Sequence, residues 1–284
     1  MPLTPGPLKP PRGAVNPPSS IRVIDPDLAA PYNMISSVSI ERTFKNTLFL
    51  NGRYEFRRGV HQFRTRDLNA PLPGVSVRPD PTKGNVLNLE STAMSRSHVL
   101  SFTGRQRFSI FNVQGTYSFY TQYNDSDGFF STPSDNYNLR ADWGRNSTPV
   151  HQFNSTVNAK LFMGVFLTGT MTANSGYFYN VTTGKDDNMD GNINDRASDV
   201  ARNNAIGPGF LNFNFNISKA FSAGGTAGGA GNSRANLNFF ANMTNAFNRT
   251  NYGIPSGVMT SPFFGKPYSA RSAREVEVGL RFQF

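Results

Sequence analysis

The last eleven residues, Arg274-Glu275-Val276-Glu277-Val278-Gly279-Leu280-Arg281-Phe282-Gln283-Phe284, decide how the rest of the chain is read. Val276, Val278, Leu280, Phe282 and Phe284 alternate with Glu275, Glu277, Gly279, Arg281 and Gln283. Side chains two residues apart share a face of a pleated strand, so the period predicts a strand with one apolar side. Working backward, the same period recurs. Leu237, Phe239, Ala241 and Met243 oppose Asn236, Asn238, Phe240 and Asn242, with Phe240 as the one break. Leu211, Phe213, Phe215 and Ile217 oppose Asn212, Asn214, Asn216 and Ser218. Softer versions predict strands over 165–172, 153–161 and 111–119, and further strands around 96–105, 53–64 and 36–50. No amphipathic helix is evident.

The links between these strands differ in length. Those at 51–52, 105–107 and 162–164 read as tight, and 222–233 is a bland Gly/Ala/Ser run. Between them lie long polar stretches, 65–95, 121–148, 175–207 and 247–270. Short turns at one end and long loops at the other are the pattern of an outer-membrane β-barrel. Strands of about ten residues are long enough to cross a bilayer when tilted. Residues 1–35 carry nine prolines and are expected to be a loop or tail, with the barrel segment running over 36–284.

Composition points the same way. Of 284 residues only 16% are charged and 37% are hydrophobic, whereas charged residues make up about a quarter of an ordinary soluble domain. Neutral polar residues fill the gap: there are 31 Asn against 7 Lys. A face washed by bulk water usually carries charge, whereas a barrel lumen can be lined by Asn, Thr, Ser and Gln. The net charge of +10 is concentrated in residues 1–110, without a Lys/Arg-rich run, so no nucleic-acid partner is expected. With no cysteine, disulfide scaffolds, zinc fingers and thiol nucleophiles are excluded. No apolar run is long enough for a membrane helix, and Met1-Pro2-Leu3-Thr4-Pro5 lacks the features of a signal peptide. The three histidines, His61, His98 and His151, fall in no catalytic motif, and no enzyme activity is expected.

Several stretches together resemble the C-terminal barrel portion of Oar-like TonB-dependent receptors of the acidobacterial type. They are Ile24-Asp25-Pro26-Asp27-Leu28 with Pro31-Tyr32, Leu68-Asn69-Ala70-Pro71-Leu72-Pro73-Gly74, and Arg78-Pro79-Asp80-Pro81. Leu139 through Arg145, Ser175-Gly176-Tyr177, Asp186–Arg196 with Arg202-Asn203, and the Phe-rich last strand continue the series in order. The resemblance implies a larger barrel closed by an N-terminal plug, with TonB as partner where a plug exists. It also implies that Phe282 and Phe284 form the signal read by the barrel-assembly machinery. Nine strands is an odd number and bacterial single-chain barrels have even counts, so the segment is expected to be part of a larger barrel. The expected function is a receptor or transporter barrel passing an unidentified solute through a polar lumen. A small self-contained porin or adhesin, and a soluble β-sandwich binding module, are the alternatives.

Two loops carry candidate sites. Asp186, Asn188 and Asp190 occupy positions 1, 3 and 5 of a calcium-loop pattern and Gly191 position 6, with Asn192 and Asp195 following. Position 12 is Ala197, so the bidentate Glu is absent; the other reading is an Asx-rich loop whose side chains bond their own backbone. In the 121–148 stretch, Phe129, Phe130, Tyr137 and Trp143 are candidates for an aromatic docking surface, or for the residues that fold the loop onto the rim. No other cofactor is expected.

Overall fold

The computed structural model describes residues 18–223 and 235–283. They form thirteen strands: β1 (Ile21–Ile24), β2 (Tyr32–Phe44), β3 (Leu48–Asp67), β4 (Val86–Arg107), β5 (Phe111–Asn124), β6 (Gly144–Arg145), β7 (His151–Lys160), β8 (Val165–Asn174), β9 (Phe178–Tyr179), β10 (Ala205–Ile206), β11 (Phe210–Ala223), β12 (Ala235–Thr244) and β13 (Glu275–Gln283). Nine of them form one antiparallel meander in the order β13-β12-β11-β8-β7-β5-β4-β3-β2. This is the number of strands that the alternation predicts. β1 adds in parallel to the start of β4, β6 pairs with the end of β5, and β9 and β10 form a separate ribbon. No described helix is long and apolar enough to cross a membrane, as expected of a chain that crosses with strands.

The register carries the alternation across the whole sheet. Ile40 pairs with Gly52, Gly52 with Phe102, Phe102 with Tyr117, Tyr117 with Phe153, and Phe153 with Ala173, which pairs with Leu211. Further along, Ile217 pairs with Ala241 and Ala241 with Val278. One face of the nine strands is therefore continuously apolar. The opposite face carries Asn, Thr, Ser and Gln joined across strands: Ser101 to Ser118 (3.1 Å), Thr103 to Thr116 (3.0 Å), and Arg105 Nε donating to Gln114 (3.0 Å). Thr168 donates to Asn158 (2.8 Å), and Asn242 to Glu277 (3.0 Å).

Burial is inverted relative to a water-soluble protein. Among the described residues the buried hydrophobic ones are Ala70, Leu89, Ala93 and Phe178, whereas Arg64, Asp67, Glu90, Asp190 and thirteen other polar residues are buried. Val278, Leu280, Ile40 and Phe102 stand exposed on the apolar face. An apolar surface of this extent has a low-energy solvent only in hydrocarbon.

The structure corrects the sequence reading in several places. Asn51-Gly52 is a strong hairpin signal, yet it lies inside β3, and the turn falls at 45–47. There Lys45 and Asn46 take the left-handed conformations (φ 46° and 56°) that a two-residue hairpin needs, and Thr47 N–H donates to Phe44 C=O. Gly52 instead lies against the Phe102 ring across the ladder. The next turn falls at 108–110 rather than 105–107; the one at 162–164 is as expected. β3 and β4 run to 20 and 22 residues, twice the expected length, because they continue past the membrane into the loop region. Regular structure starts before Ser36: β2 begins at Tyr32, and the proline-free Ile21–Ile24 pairs with Val86–Leu89. The Gly/Ala/Ser link lies mostly outside the described residues.

Phe240, the one break in the alternation, now has a cause. It lies on the polar face directly opposite Gly279. A Cβ built on Gly279 would sit 2.4 Å from the tip of the Phe240 ring, so the ring occupies the space that Gly279 leaves empty. We predict that Gly279→Val weakens the folded barrel by about 1–3 kcal/mol, the usual cost of overpacking. Gly279→Val with Phe240→Ala recovers part of this loss. The urea midpoint of heat-modifiable gel mobility measures both.

Candidate functional site

The long connections of the meander, 68–85, 125–150, 175–209 and 245–274, all leave the sheet at one end. Three of them meet on a ring of four side chains grown from β3 and from the loops. Asp67 N–H donates to Asn136 Oδ1, and Asn136 Nδ2 donates to Asp190 Oδ2, each at 2.8 Å. Arg78 Nη2 donates to the Asp190 carbonyl and Arg78 Nη1 to Asp67 Oδ2, again at 2.8 Å. Asp67, Asn136 and Asp190 are each at most 3% exposed. Buried polar groups are tolerable when hydrogen-bonded: Asp67 is paired with Arg78, and the Asp190 carboxylate accepts from Asn136 and Asn192.

Other buried polar groups extend this cap. Asn69 Nδ2 reaches the carbonyls of Asp80, Lys83 and Gly84, folding the 68–85 loop on itself. Arg196 pairs with Asp142 (2.7 Å) and also reaches the Ala141 carbonyl. Arg202 pairs with Asp127 and with Asn124, and Asn203 donates to the Arg145 carbonyl. Inside the sheet, Arg64 pairs with Asp125 (2.7 Å) and Arg66 with Glu90 (2.9 Å).

Asp186–Asp195 belongs to this framework. Asp186 accepts from the N–H groups of Asp190 and Gly191 (3.0 and 2.9 Å), and Asn188 Oδ1 accepts from Asp190 N–H (3.0 Å). Asp190 Oδ1 accepts from Asn192 twice, and Asp195 Oδ2 accepts from Asp187 N–H (2.8 Å). Gly191 has φ 92°, the turn that the sequence pattern called for. The side chains thus bond their own backbone in Asx turns, and among the described residues no three His, Asp or Glu side chains gather as a metal site. Burial pushes the carboxyls of Asp190 and Asp195 above the usual range, helped by the neighbouring acids. By contrast, exposed Asp80 is held down to about 2, chiefly by the Thr82 hydroxyl and then by Lys83.

The four aromatic candidates are parted. Phe129 and Phe130 pack edge to face (4.7 Å), and Phe129 also meets Phe63. The Tyr137 hydroxyl donates to the Ala70 carbonyl (2.6 Å), joining two loops. Trp143 stacks on Tyr123 of β5. No ring contact links Tyr137 or Trp143 to the Phe pair. Phe282 sits on the apolar face of β13, and Phe284 lies outside the described residues.

Beneath the cap, on the polar face, is a cavity of about 570 Å³ bordered by Glu55, Arg57, Gln62, Tyr120, Gln122 and Phe129 among others. Glu55 lies between Arg53 and Arg57 and pairs with both. The sequence reading missed this cavity, and it missed the ring members Asp67 and Asn136, which lie far apart in the chain.

The fold class is a transmembrane β-barrel sheet with one apolar and one polar face and a hydrogen-bonded loop cap. The chain belongs to the family described as outer membrane beta barrel domain, whose model matches residues 1–204. It sits in the outer membrane, in contact with lipid. Among solved structures it is similar to the outer membrane transporter YddB from Escherichia coli: TM-score 0.59, 11% identity, over 89% of this chain and 32% of that one. It is also similar to the FrpB iron transporter from Neisseria meningitidis: TM-score 0.52, 10% identity, over 92% and 32%. The chain thus spans about a third of the length of these transporters. No curated protein matches.

Two predictions follow from the ring and its acids. Asp190→Ala removes the carboxylate that accepts from Asn136 and Asn192 and so loosens the junction of three loops, a loss of about 1–3 kcal/mol when a buried donor is left unsatisfied. Proteolysis within 175–207 then accelerates while heat-modifiable mobility stays intact. The second prediction concerns pH. Asp190 and Asp195 titrate above their ordinary 3.8, so the folded loop holds protons that the open loop has already lost. Protection of the loop from protease is therefore greatest at and below that value. It falls as pH rises through the raised pKa values, and levels off above them. Asp190→Asn flattens this dependence.

Proposed function

We propose that the chain is a section of a receptor or transporter barrel that passes a polar solute along its Asn/Thr-lined face, beneath a cap of long external loops. The observation that carries this reading is the ladder of neutral hydrogen-bonding side chains opposite the lipid face. Ser101, Thr103, Asn158, Thr168 and Asn242 all contribute to it. Such a surface wets readily, and its charges are few. The cavity under the cap lies on this same face and joins its upper end.

The Oar-like resemblance extends the proposal. In that reading the strands belong to a larger barrel, TonB energises it where a plug is present, and the barrel-assembly machinery reads Phe282 and Phe284. The chain has no chemical task of its own in this scheme; its residues bind, line and close.

Because the chain contains no cysteine, single cysteines report without background. Thr170→Cys faces the lumen ladder and Leu167→Cys faces lipid. A charged, membrane-impermeant maleimide is expected to label Thr170→Cys in intact outer membranes at least about tenfold faster than Leu167→Cys, since the thiolate forms only where water reaches it. Equal rates at the two positions would sink the aqueous-lumen reading.

A further inference from the structure

Just beyond the apolar band, the lipid-facing side of the sheet carries a row of cations. Met34 pairs with Arg58, Arg58 with Arg96, Arg96 with Tyr123, and Tyr123 with Arg145, across five adjacent strand segments. On β3 the outward positions from Leu48 to Phe56 span nine residues, the length that crosses a bilayer when tilted, and Arg58 is the next outward position. Tyr54 bonds His98 (2.8 Å) and Tyr117 bonds His151 (2.7 Å) slightly deeper, where an interfacial aromatic girdle belongs. The arginines therefore stand at headgroup height.

Among the described residues no acid lies in ion-pair distance of Arg58, Arg96 or Arg145. The loop acids Asp125, Asp127 and Asp142 are held by Arg64, Arg202 and Arg196. The residues outside the described part contain no Asp or Glu. Arg58 and Arg96 face each other directly, about 5 Å apart across the ladder, and like charges in that position repel. Two of the guanidinium groups are also held in place. Arg96 lies over Trp143 (6.0 Å), and Arg145 lies over Tyr123 (5.4 Å) and Phe178 (4.9 Å). Stacking fixes the plane of a guanidinium and leaves its N–H edge free for a planar or tetrahedral oxyanion.

We propose that Arg58, Arg96 and Arg145 form a binding site for a phosphate-bearing lipid headgroup of the outer leaflet. The site faces lipid, so its ligand arrives by lateral diffusion in the membrane. A headgroup phosphate satisfies both the charge and the repulsion between Arg58 and Arg96, while its acyl chains lie on Leu100, Phe102 and Phe119 below.

The test uses the whole protein extracted from outer membranes, exchanged into phosphatidylcholine micelles and titrated with phosphatidic acid. The wild type is expected to retain phosphatidic acid over phosphatidylcholine. R58Q/R96Q/R145Q is expected to lose about fivefold in affinity per arginine removed, and R58K/R96K/R145K to keep most of it. R105Q, on the lumen face, is expected to bind as the wild type does. Heat-modifiable mobility checks insertion, and the single variants R58Q and R145Q carry the test if the triple variant does not insert. Equal retention by the wild type and the folded glutamine variants overturns the proposal. So does displacement of the lipid by millimolar inorganic phosphate, which would mark a site for free anions.

Discussion

In hydrocarbon no water is available to bond a backbone N–H or C=O, and that constraint shapes everything else in this chain. The meander meets it by pairing each strand with the next in sequence, so that the hydrogen-bonding partner is always supplied by a nearby stretch. Once the ladders are fixed, the pleat allots every other side chain to lipid and the rest to the lumen. A slip of one residue would exchange the two sets, so the register is as strongly specified here as in a packed core. Gly52, Gly104 and Gly279 work within this frame. Gly279 leaves the room that the Phe240 ring needs, whereas Gly52 and Gly104 lie in ordinary contact with Phe102 and Leu50.

Where the strands leave the membrane, the chemistry changes. There is little apolar core, and the loops are held by buried ion pairs and Asx contacts instead. Asp67, Arg78, Asn136 and Asp190 show the logic: each is expensive to bury alone, and together they leave little unpaired. A network of this kind is more specific than an apolar cluster, because a displaced loop strands a charge. It suits long loops that must keep one arrangement over the end of the sheet. Burial that raises the Asp190 and Asp195 carboxyls is the cost of that arrangement.

Different parts of the molecule were legible to different degrees. The terminal strand and the two Asn-alternating strands before it were readable because one face meets lipid and the other meets the lumen, and a period of two records both. The 45–47 turn was not, because Lys45-Asn46 is a weaker local signal than Asn51-Gly52, and the choice between them is made by pairing with β4. The lengths of β3 and β4 were hidden because their outer halves face loops, not lipid, and lose the alternation. Arg78, Asn69, Arg202 and Asn203 stood in stretches that marked the family resemblance, but their partners lie up to 112 residues away in sequence. Such contacts leave no local pattern. Asn136 lies between two acidic turns and looks like any loop asparagine until Asp67 and Asp190 are seen beside it.

The abundance of Asn gains a physical meaning from this division. On the lumen face it supplies donors and acceptors without charge, so that Asn112, Asn158, Asn216 and Asn242 link neighbouring strands. In the loops the same amide bonds backbone groups that no strand partner reaches, as Asn69, Asn203, Asn245 and Asn251 do. Lys could do neither, since it cannot accept a hydrogen bond and brings a charge that must be neutralised. Arg64, Arg66, Arg78, Arg196 and Arg202 stand where a carboxylate is within reach. The scarcity of charge in this chain is therefore selective. Where the loops fold over the sheet, cations are kept beside the acids that they neutralise.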